Sequence, residues 1–343
     1  MTAPVQPTAH LVSVGTCLPG EPVDNATLAK LVGVDETWAE MFIGNTSRYF
    51  AVDLATGQVR HTLADIAATA ADRALTAAGM EPYDIDGIVM GTATPDQLMP
   101  ATVNLVADRL GVDNVPTYQL QSGCAGAVQA LDVARTLLLA GRCRTVLVIG
   151  GDVCAKHLET DFDPGTRTSA ELVNYVLFGD GAGAAVLSAE PAGAGIAVRQ
   201  VLNRLVGLGR EPGQVIDWFG LGDRHSDRTA VSEDYKAIEE AVPALARQMF
   251  WELIQDVGWA ADDIGFLLPP QLSGRMSDRI SDAMPAPDAR RVNVVRHVGN
   301  NGNALPFLQL AELLREWAGP GRAVAVAVES SKWIKSGVAL ERS

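Results

Sequence analysis

The chain has 343 residues, 48% of them apolar, a length that predicts two domains or two halves of one large domain. Its 41 acidic and 27 basic side chains give a net charge of −14, which argues against nucleic acid or an anionic membrane as a partner. There is no CxxC pair and no zinc-type Cys/His spacing, so we expect a reducing, cytoplasmic setting and no metal. The N-terminal residues do not resemble a signal peptide, and no apolar run reaches membrane-span length.

Short β-branched runs alternate with Ala- and Leu-rich segments along the whole chain. In the first part this alternation predicts strands at 10–14, 87–90, 117–120, 145–149 and 184–187, and helices at 62–78, 101–110 and 124–140. In the second part it predicts strands at 196–202, 266–268, 292–295 and 324–328, and helices at 236–257 and 305–317. The pattern indicates an α/β fold of two similar halves, residues 1–192 and 193–343, with buried sheets. Residues 207–234 break the rhythm and are predicted to form a surface excursion or a lid.

The segment QSGCAGAVQAL (121–131) places Cys124 where a predicted strand becomes a helix. A thiolate is the reactive form of cysteine, and the unpaired N–H groups of a helix N-terminus stabilise that anion. Gly123 and Gly126 leave room for an acyl group, and the Cys124 N–H is a candidate donor to the oxyanion of a tetrahedral intermediate. Cys124 is therefore the predicted nucleophile, whereas Cys17, Cys143 and Cys154 are interpreted as inert thiols.

The segment VLFGDGAGAAVL (176–187) contains G-x-G-x-G but does not fit a dinucleotide site. A dinucleotide fingerprint opens a helix, whereas these glycines run into another predicted strand. We interpret them as part of a strand that a neighbouring backbone approaches closely.

Together these segments resemble the β-ketoacyl-acyl-carrier-protein synthase III group of the thiolase superfamily. The resemblance is carried by VSVGTCLPGEPVDNATLAKLVGVDETW (12–38), DIAATAADRALTAAGMEPYDIDGIVMGTATPD (65–96), QSGCAGAVQALDVARTLLLAGRCRTVLVIGGDV (121–153) and FGDGAGAAVL (178–187). It implies the five-layered αβαβα thiolase-like fold from two pseudo-repeated halves, and a homodimer with active sites near the interface. It also implies that Cys124 is the nucleophile.

The chain departs from this group at the residues that assist condensation. Members pair the cysteine with a histidine in a Pro-His-Gln segment and with an asparagine, which stabilise the enolate left by decarboxylation of a malonyl extender. The matching segment FLLPPQLSGR (266–275) has Pro270 at the histidine position. In RRVNVVRHVGNNGNALPFLQL (290–310), Asn300 matches the asparagine, with Asn301 as the neighbouring alternative. For a general base we expect His297, with His157 second.

Two further segments differ. VESSKWIKSGVAL (328–340) has Glu329-Ser330-Ser331 where the group has a glycine-rich turn that contributes an oxyanion donor. Trp38 matches the tryptophan that stacks on the adenine of coenzyme A, but Phe42 stands where some members have an arginine near the phosphates. The first difference predicts a bulkier and more polar pocket wall, and the second favours a carrier-protein thioester over coenzyme A as the donor.

Retention of Cys124 together with loss of the histidine predicts an acyltransferase without a bound cofactor. It would move an acyl or aryl group from a carrier-protein or coenzyme A thioester, through Cys124, to a hydroxyl, an amine or a second carrier in specialised-metabolite biosynthesis. One alternative is a decarboxylative synthase that starts a fatty acid or polyketide chain, and another is a non-catalytic partner subunit. An acyl carrier protein is the expected partner. Basic residues that would dock this acidic protein are Arg135, Arg142, Arg144, Lys156, Arg204, Arg210, Arg224 and Arg228.

Overall fold

The computed structural model describes residues 8–169, 171–193, 195–218 and 231–343. The strands are β1 (Ala9–Cys17), β2 (Val23–Asp24), β3 (Ser47–Arg48), β4 (Gly87–Gly91), β5 (Thr117–Leu120), β6 (Thr145–Asp152), β7 (Gly181–Ser188), β8 (Ile196–Leu205), β9 (Gln214–Ile216), β10 (Val231–Glu233), β11 (Phe266–Leu268), β12 (Arg290–Arg291), β13 (Gly321–Glu329) and β14 (Ile334–Arg342). The α-helices are α1 (Asn25–Val32), α2 (Glu36–Trp38), α3 (Leu63–Ala78), α4 (Thr102–Leu110), α5 (Gly126–Leu139), α6 (Val173–Leu177), α7 (Tyr235–Val257), α8 (Gly274–Ala283), α9 (Val295–Val298) and α10 (Leu305–Glu316).

Ten of these strands are hydrogen-bonded in the order β12-β11-β13-β14-β8-β1-β7-β6-β4-β5. The five strands on each side of the β8–β1 junction have the same connectivity. In one set β11 pairs in parallel with β12 and β13, and β14 pairs antiparallel with β13 and β8. In the other set β4 pairs in parallel with β5 and β6, and β7 pairs antiparallel with β6 and β1. The chain thus builds the same five-stranded unit twice. The boundary at residues 192 and 193 stays a prediction.

Helices cover the strands on both faces, which produces five layers. Helices α5 and α10 share a central core with strands of both units, α3 and α4 cover the outer face of the first, and α7 and α8 cover that of the second. Alternate side chains of a strand point to opposite faces, so Val146 and Val148 of β6 join the central core while Leu147 and Ile149 join the outer core. This is the predicted thiolase-like arrangement, with β7 confirmed as a strand.

The sequence-based elements are confirmed in most places, with one clear error. The strand predicted at 292–295 is wrong: β12 ends at Arg291, and the turn of helix α9 begins at Val295. The Gln271 side-chain oxygen accepts hydrogen bonds from the N–H groups of Val294 and Val295, which draws this backbone out of the sheet.

Two elements of nine residues or more, β14 and α8, were not predicted, because their sequences are polar. Strand β14 begins Ile-Lys-Ser-Gly, and α8 reads GRMSDRISDA. Part of the predicted 207–234 excursion forms the β9–β10 ribbon, whereas residues 219–230 lie outside the described part of the chain. Among the described helices, none is both long and apolar enough to cross a membrane.

Candidate active site

Cys124 lies on a tight elbow between β5 and α5. The elbow is a 3-10 turn, Gly123–Ala125, and α5 begins at the next residue. Gly123 has a φ of 50°, in the left-handed region that favours glycine. A Cβ on Gly126 would lie 2.7 Å from the Asn303 side-chain oxygen, so glycine is also required where α5 meets the turn before α10. The predicted strand-to-helix elbow is confirmed.

Cys124 is partly exposed, and it lines two cavities. The Asn300 cavity, of about 40 Å³, is lined by Cys124, Pro270, Asn300, Gln309 and Val328 among others. The His157 cavity, of about 90 Å³, is lined by Cys124, Cys154, His157, Phe178, Gln214 and Val231 among others. Two separate spaces therefore meet at one thiol.

Pro270 lines the Asn300 cavity, where the resemblance places a histidine. The cavity wall at this position has neither a side-chain hydrogen-bond donor nor a group that can transfer a proton. The next residue, Gln271, cannot substitute for it, because its amide nitrogen is hydrogen-bonded to the Val292 carbonyl at 2.8 Å and its oxygen accepts two backbone N–H groups.

Asn300 lines the smaller cavity, whereas Asn301 lines neither cavity at Cys124. The backbone of Asn300 is hydrogen-bonded to Leu177 and Gly179, and its side-chain oxygen accepts the Gly302 N–H at 3.1 Å. Within the described residues its amide nitrogen has no protein acceptor, which leaves a donor for a substrate oxygen. The Asn301 amide nitrogen, in contrast, donates to the carbonyls of Asp180 and Val298.

The carboxylate of Glu329 occupies the place where an oxyanion was expected. Its Oε2 accepts the Cys124 N–H, and its Oε1 accepts the Ser331 N–H at 2.6 Å. These are the backbone of the nucleophile and the backbone of the turn that supplies an oxyanion donor in the group that the sequence resembles. The Cys124 N–H, the predicted candidate donor to an oxyanion, is thus bound by Glu329 and can take that role only when Glu329 releases it.

Negative charge surrounds Cys124. Burial, followed by the charges of Glu329 and Asp152, raises the pKa of the Cys124 thiol well above its usual value. The α5 N-terminus was expected to favour the thiolate, but burial and the two carboxylates outweigh it. Cys124 therefore rests as a neutral thiol, and a thiol needs a base when it attacks.

The two candidate histidines differ in position. His297 is exposed, its Nδ1 lies 3.0 Å from the Thr46 hydroxyl, and it lines neither cavity at Cys124. His157, the second choice, lines the larger cavity, and burial lowers its pKa so that it is neutral at pH 7. The geometry gives His297 no access to the thiol.

Trp38 is stacked on a neighbour in its own helical turn. The Trp38 and Phe42 ring centroids are 6.0 Å apart and the rings are 29° from parallel. Phe42 is 61% exposed, at the position where an arginine would serve the phosphates of coenzyme A. One face of the indole is therefore already covered, which supports the expectation that coenzyme A is the weaker donor.

Of the basic residues expected to dock a carrier protein, those that the structure describes do not form one patch. Arg142 and Arg144 follow the end of α5 opposite Cys124, roughly 20 Å along the helix. Lys156 donates to the carbonyls of Thr94 and Pro95, and Arg135 to carbonyls of β8. Of the others, Arg210 lies over the Trp333 ring, Arg204 lines a groove beside α7, and Arg224 and Arg228 fall outside the described residues.

A buried network of hydrogen bonds connects the Cys124 elbow to β6 and to the turn before α10. The Asp152 carboxylate accepts hydrogen bonds from the backbone and the side-chain nitrogen of Asn303, and the Asn303 oxygen accepts the Ala127 N–H of α5. Asp180 accepts the N–H groups of Ala51 and Ala155, and burial raises its pKa to about 7. These carboxylates stabilise the frame. No group of His, Cys, Asp and Glu in the described residues is arranged to bind a metal.

Comparisons with known proteins agree with this geometry. The family described as 3-oxoacyl-[acyl-carrier-protein] synthase III matches residues 118–202, which include the elbow and β7. The β-ketoacyl-[acyl-carrier-protein] synthase III of Rhizorhabdus wittichii is 33% identical over 301 residues, covering 87% of this chain and 88% of that protein. A synthase III of Streptomyces coelicolor is 30% identical over 306 residues, covering 86% and 85%.

Solved structures extend the similarity. AbyA1, described as a tetronic acid condensing enzyme, is 54% identical, with a TM-score of 0.94 and coverage of 97% of this chain and all of that one. The synthase III from Pseudomonas aeruginosa is 26% identical, with a TM-score of 0.83 and coverage of 98% of both chains. The extent of these matches, together with the Cys124 elbow, shows that the chain is an acyltransferase of the β-ketoacyl-[acyl-carrier-protein] synthase III family of condensing enzymes.

Proposed function

We propose that the chain is a non-decarboxylative condensing acyltransferase that joins two acyl thioesters into a tetronic-acid-type lactone, by way of a Cys124 acyl-enzyme. One observation carries the proposal: Cys124 and Asn300 share a cavity in which Pro270 replaces the histidine of decarboxylative condensation. The 54% identity to a tetronic acid condensing enzyme supports the product class.

The chemistry of a tetronic acid explains why the histidine is dispensable. The ring is a five-membered lactone with a 1,3-dicarbonyl unit, so assembling it from two thioesters requires one carbon–carbon bond and one ester bond. An α-hydroxyacyl thioester supplies a hydroxyl and a carbonyl, and a β-ketoacyl thioester supplies a carbonyl and an acidic methylene. Loss of a proton from that methylene gives the carbon nucleophile without release of carbon dioxide.

In this proposal, Cys124 attacks the α-hydroxyacyl thioester and releases the carrier thiol. The methylene carbon of the β-ketoacyl thioester then attacks the Cys124 thioester and forms the carbon–carbon bond, while Asn300 donates its free amide hydrogen to a substrate oxygen. The hydroxyl closes the ring on the second thioester. The two cavities at Cys124 give each substrate its own approach.

Family members act on groups bound to an acyl carrier protein, and we propose a carrier protein as the donor here. The covered face of Trp38 supports this choice over coenzyme A. We also propose the homodimer that the resemblance implies.

The test combines intact-protein mass spectrometry with product analysis, using synthetic α-hydroxyacyl, β-ketoacyl and malonyl thioesters on pantetheine and on a carrier protein. We expect an α-hydroxyacyl adduct on Cys124, and, after addition of the β-ketoacyl thioester, a product with the mass of both substrates minus two thiols. Carbon dioxide release from the malonyl thioester with a β-ketoacyl product would instead establish the decarboxylative synthase. Failure of every donor to acylate Cys124 would establish the non-catalytic subunit.

A further inference from the structure

We propose that Glu329 is the general base of the reaction, accepting the Cys124 thiol proton during acylation and the proton of the acceptor when the acyl group leaves. The proposal rests on the acyl-transfer half of the proposed function. It concerns a residue that the sequence marked only as a replacement in a glycine-rich turn.

Burial and hydrogen bonds hold Glu329 in a defined position beside Cys124. It ends β13, is 1% exposed, and its two carboxylate oxygens accept the Cys124 and Ser331 N–H groups. A Cβ on Gly123 would lie 2.0 Å from Glu329 Oε2, so the glycine of the elbow is what admits the carboxylate. The charge of this carboxylate also raises the pKa of the Cys124 thiol, so Glu329 acts directly on the reacting group.

The other carboxylate near the nucleophile shows what a purely structural role looks like. Asp152 accepts hydrogen bonds from Thr92, Ala93, Thr94 and Asn303, six in all, which occupy both of its oxygens. Glu329 accepts two backbone hydrogen bonds, and no Lys or Arg of the described residues forms an ion pair with it. Its oxygens retain capacity to accept a proton.

In this cycle Glu329 accepts each released proton and returns it to the leaving thiolate. As the Cys124 sulfur forms its bond to the donor carbonyl carbon, the S–H proton passes to the carboxylate. When the tetrahedral intermediate collapses, the carbon–sulfur bond to the carrier breaks, and the carrier thiolate takes that proton. In the second half, the acceptor proton passes to Glu329 as the acceptor bonds to the acyl carbon, and the departing Cys124 thiolate recovers it.

The same proton transfer prepares the oxyanion site. A protonated carboxyl group holds two N–H donors more weakly than a carboxylate does. Protonation of Glu329 therefore frees the Cys124 and Ser331 N–H groups at the moment when the carbonyl oxygen becomes negative, and both can then stabilise that oxygen. Glu329 holds these donors in place while the site is empty.

The decisive experiment compares two reactions of Cys124 in the variant Glu329→Gln. Acylation by a pantetheine thioester, followed by mass spectrometry, requires a base and an oxyanion site, whereas alkylation by iodoacetamide requires only the thiolate. We expect acylation to slow by about 10²-fold or more. We expect alkylation at pH 8 to become faster, by up to about tenfold, because removal of a neighbouring negative charge lowers the pKa of the thiol.

A matched control and a rescue variant separate this role from charge and packing. Glu233→Gln also removes a negative charge that acts on Cys124, but Glu233 is bound to Gln214 and Tyr235 rather than to the elbow, and it should leave acylation unchanged. Glu329→Asp keeps a carboxylate and should acylate at least tenfold faster than Glu329→Gln.

Undiminished acylation of Glu329→Gln would overturn the proposal, as would an Asp variant no better than the Gln variant. Both readouts concern loading of Cys124 alone. A wild-type protein that is acylated but forms no lactone would therefore contradict the proposed product and leave the role of Glu329 intact.

Discussion

The two elbows at the centre of the molecule are built alike and used differently. Gly123–Ala125 precedes α5 and Gly302–Ala304 precedes α10, and both leading glycines have the same left-handed backbone, with φ of 50° and 51°. Each elbow gives an N–H to a carboxylate from the end of the corresponding strand of the other unit: Cys124 to Glu329 of β13, and Asn303 to Asp152 of β6.

The difference lies in what surrounds each carboxylate. Both oxygens of Asp152 accept hydrogen bonds from several donors, and the neighbouring side chain is the Asn303 amide. Glu329 accepts two backbone N–H groups, and the neighbouring side chain is the Cys124 thiol. The repeated frame thus provides one site whose carboxylate is fully hydrogen-bonded, and one whose carboxylate can still accept a proton beside Cys124. We infer that the fold supplies the geometry twice, and that the unsatisfied copy carries the chemistry.

The largest effect on acyl transfer should come from the replacement of Cys124. Cys124→Ala should lose acyl transfer by at least about 10³-fold and should show no acyl adduct by mass spectrometry. Cys143→Ala is the matched control, because Cys143 is buried beyond the far end of α5 and should leave the adduct unchanged. An adduct that persists in Cys124→Ala would place the nucleophile elsewhere.

Replacement of the Asp152 carboxylate should lower the free energy of unfolding more than replacement of the Glu329 carboxylate. Asp152→Asn replaces an acceptor by a donor among six donors, and should lower the free energy of unfolding by about 2–4 kcal/mol. Glu329→Gln should lower it by about 1 kcal/mol or less, since an amide oxygen still accepts one N–H. Urea unfolding followed by circular dichroism measures both, and equal losses would contradict the distinction.

The amide beside the nucleophile should matter for the second half-reaction. Asn300→Ala removes the free donor of the Asn300 cavity and should slow product release from the acyl-enzyme by about 10- to 100-fold, while Cys124 is still acylated. Single-turnover mass spectrometry resolves the two steps. Loss of acylation itself would show that Asn300 serves the donor instead.

The smallest effect should come from the exposed histidine. His297→Ala should change acyl transfer by no more than about twofold, because His297 lines neither cavity at Cys124. His157→Ala alters a wall of the larger cavity and should raise the KM of one substrate more than it lowers kcat. Steady-state kinetics measure both variants. A large loss of acyl transfer in His297→Ala would restore His297 as the candidate base.

Much of the fold could be predicted from the sequence, because buried strands and amphipathic helices have local signatures. The positions of β4, β6 and α7 follow from apolar runs and periodicity. Those of β14 and α8 do not, since Lys335 of β14 pairs with Glu252 and Asp278 of α8 pairs with Arg296, which are distant in sequence. The strand predicted at 292–295 failed for the same reason, because the side chain of Gln271, more than twenty residues away, determines that backbone.

By itself, the sequence predicted Cys124 as the nucleophile and determined that proline replaces the histidine. Cys124 lies between glycines at a strand-to-helix junction, and Pro270 cannot act as a base whatever surrounds it. Only the tertiary structure decided what assists Cys124: it placed Glu329, 205 residues away, on the elbow N–H, and it placed His297 outside both cavities. The physical reason is that local backbone geometry is encoded in short segments, whereas the charge around a thiol depends on which side chains converge from distant parts of the chain.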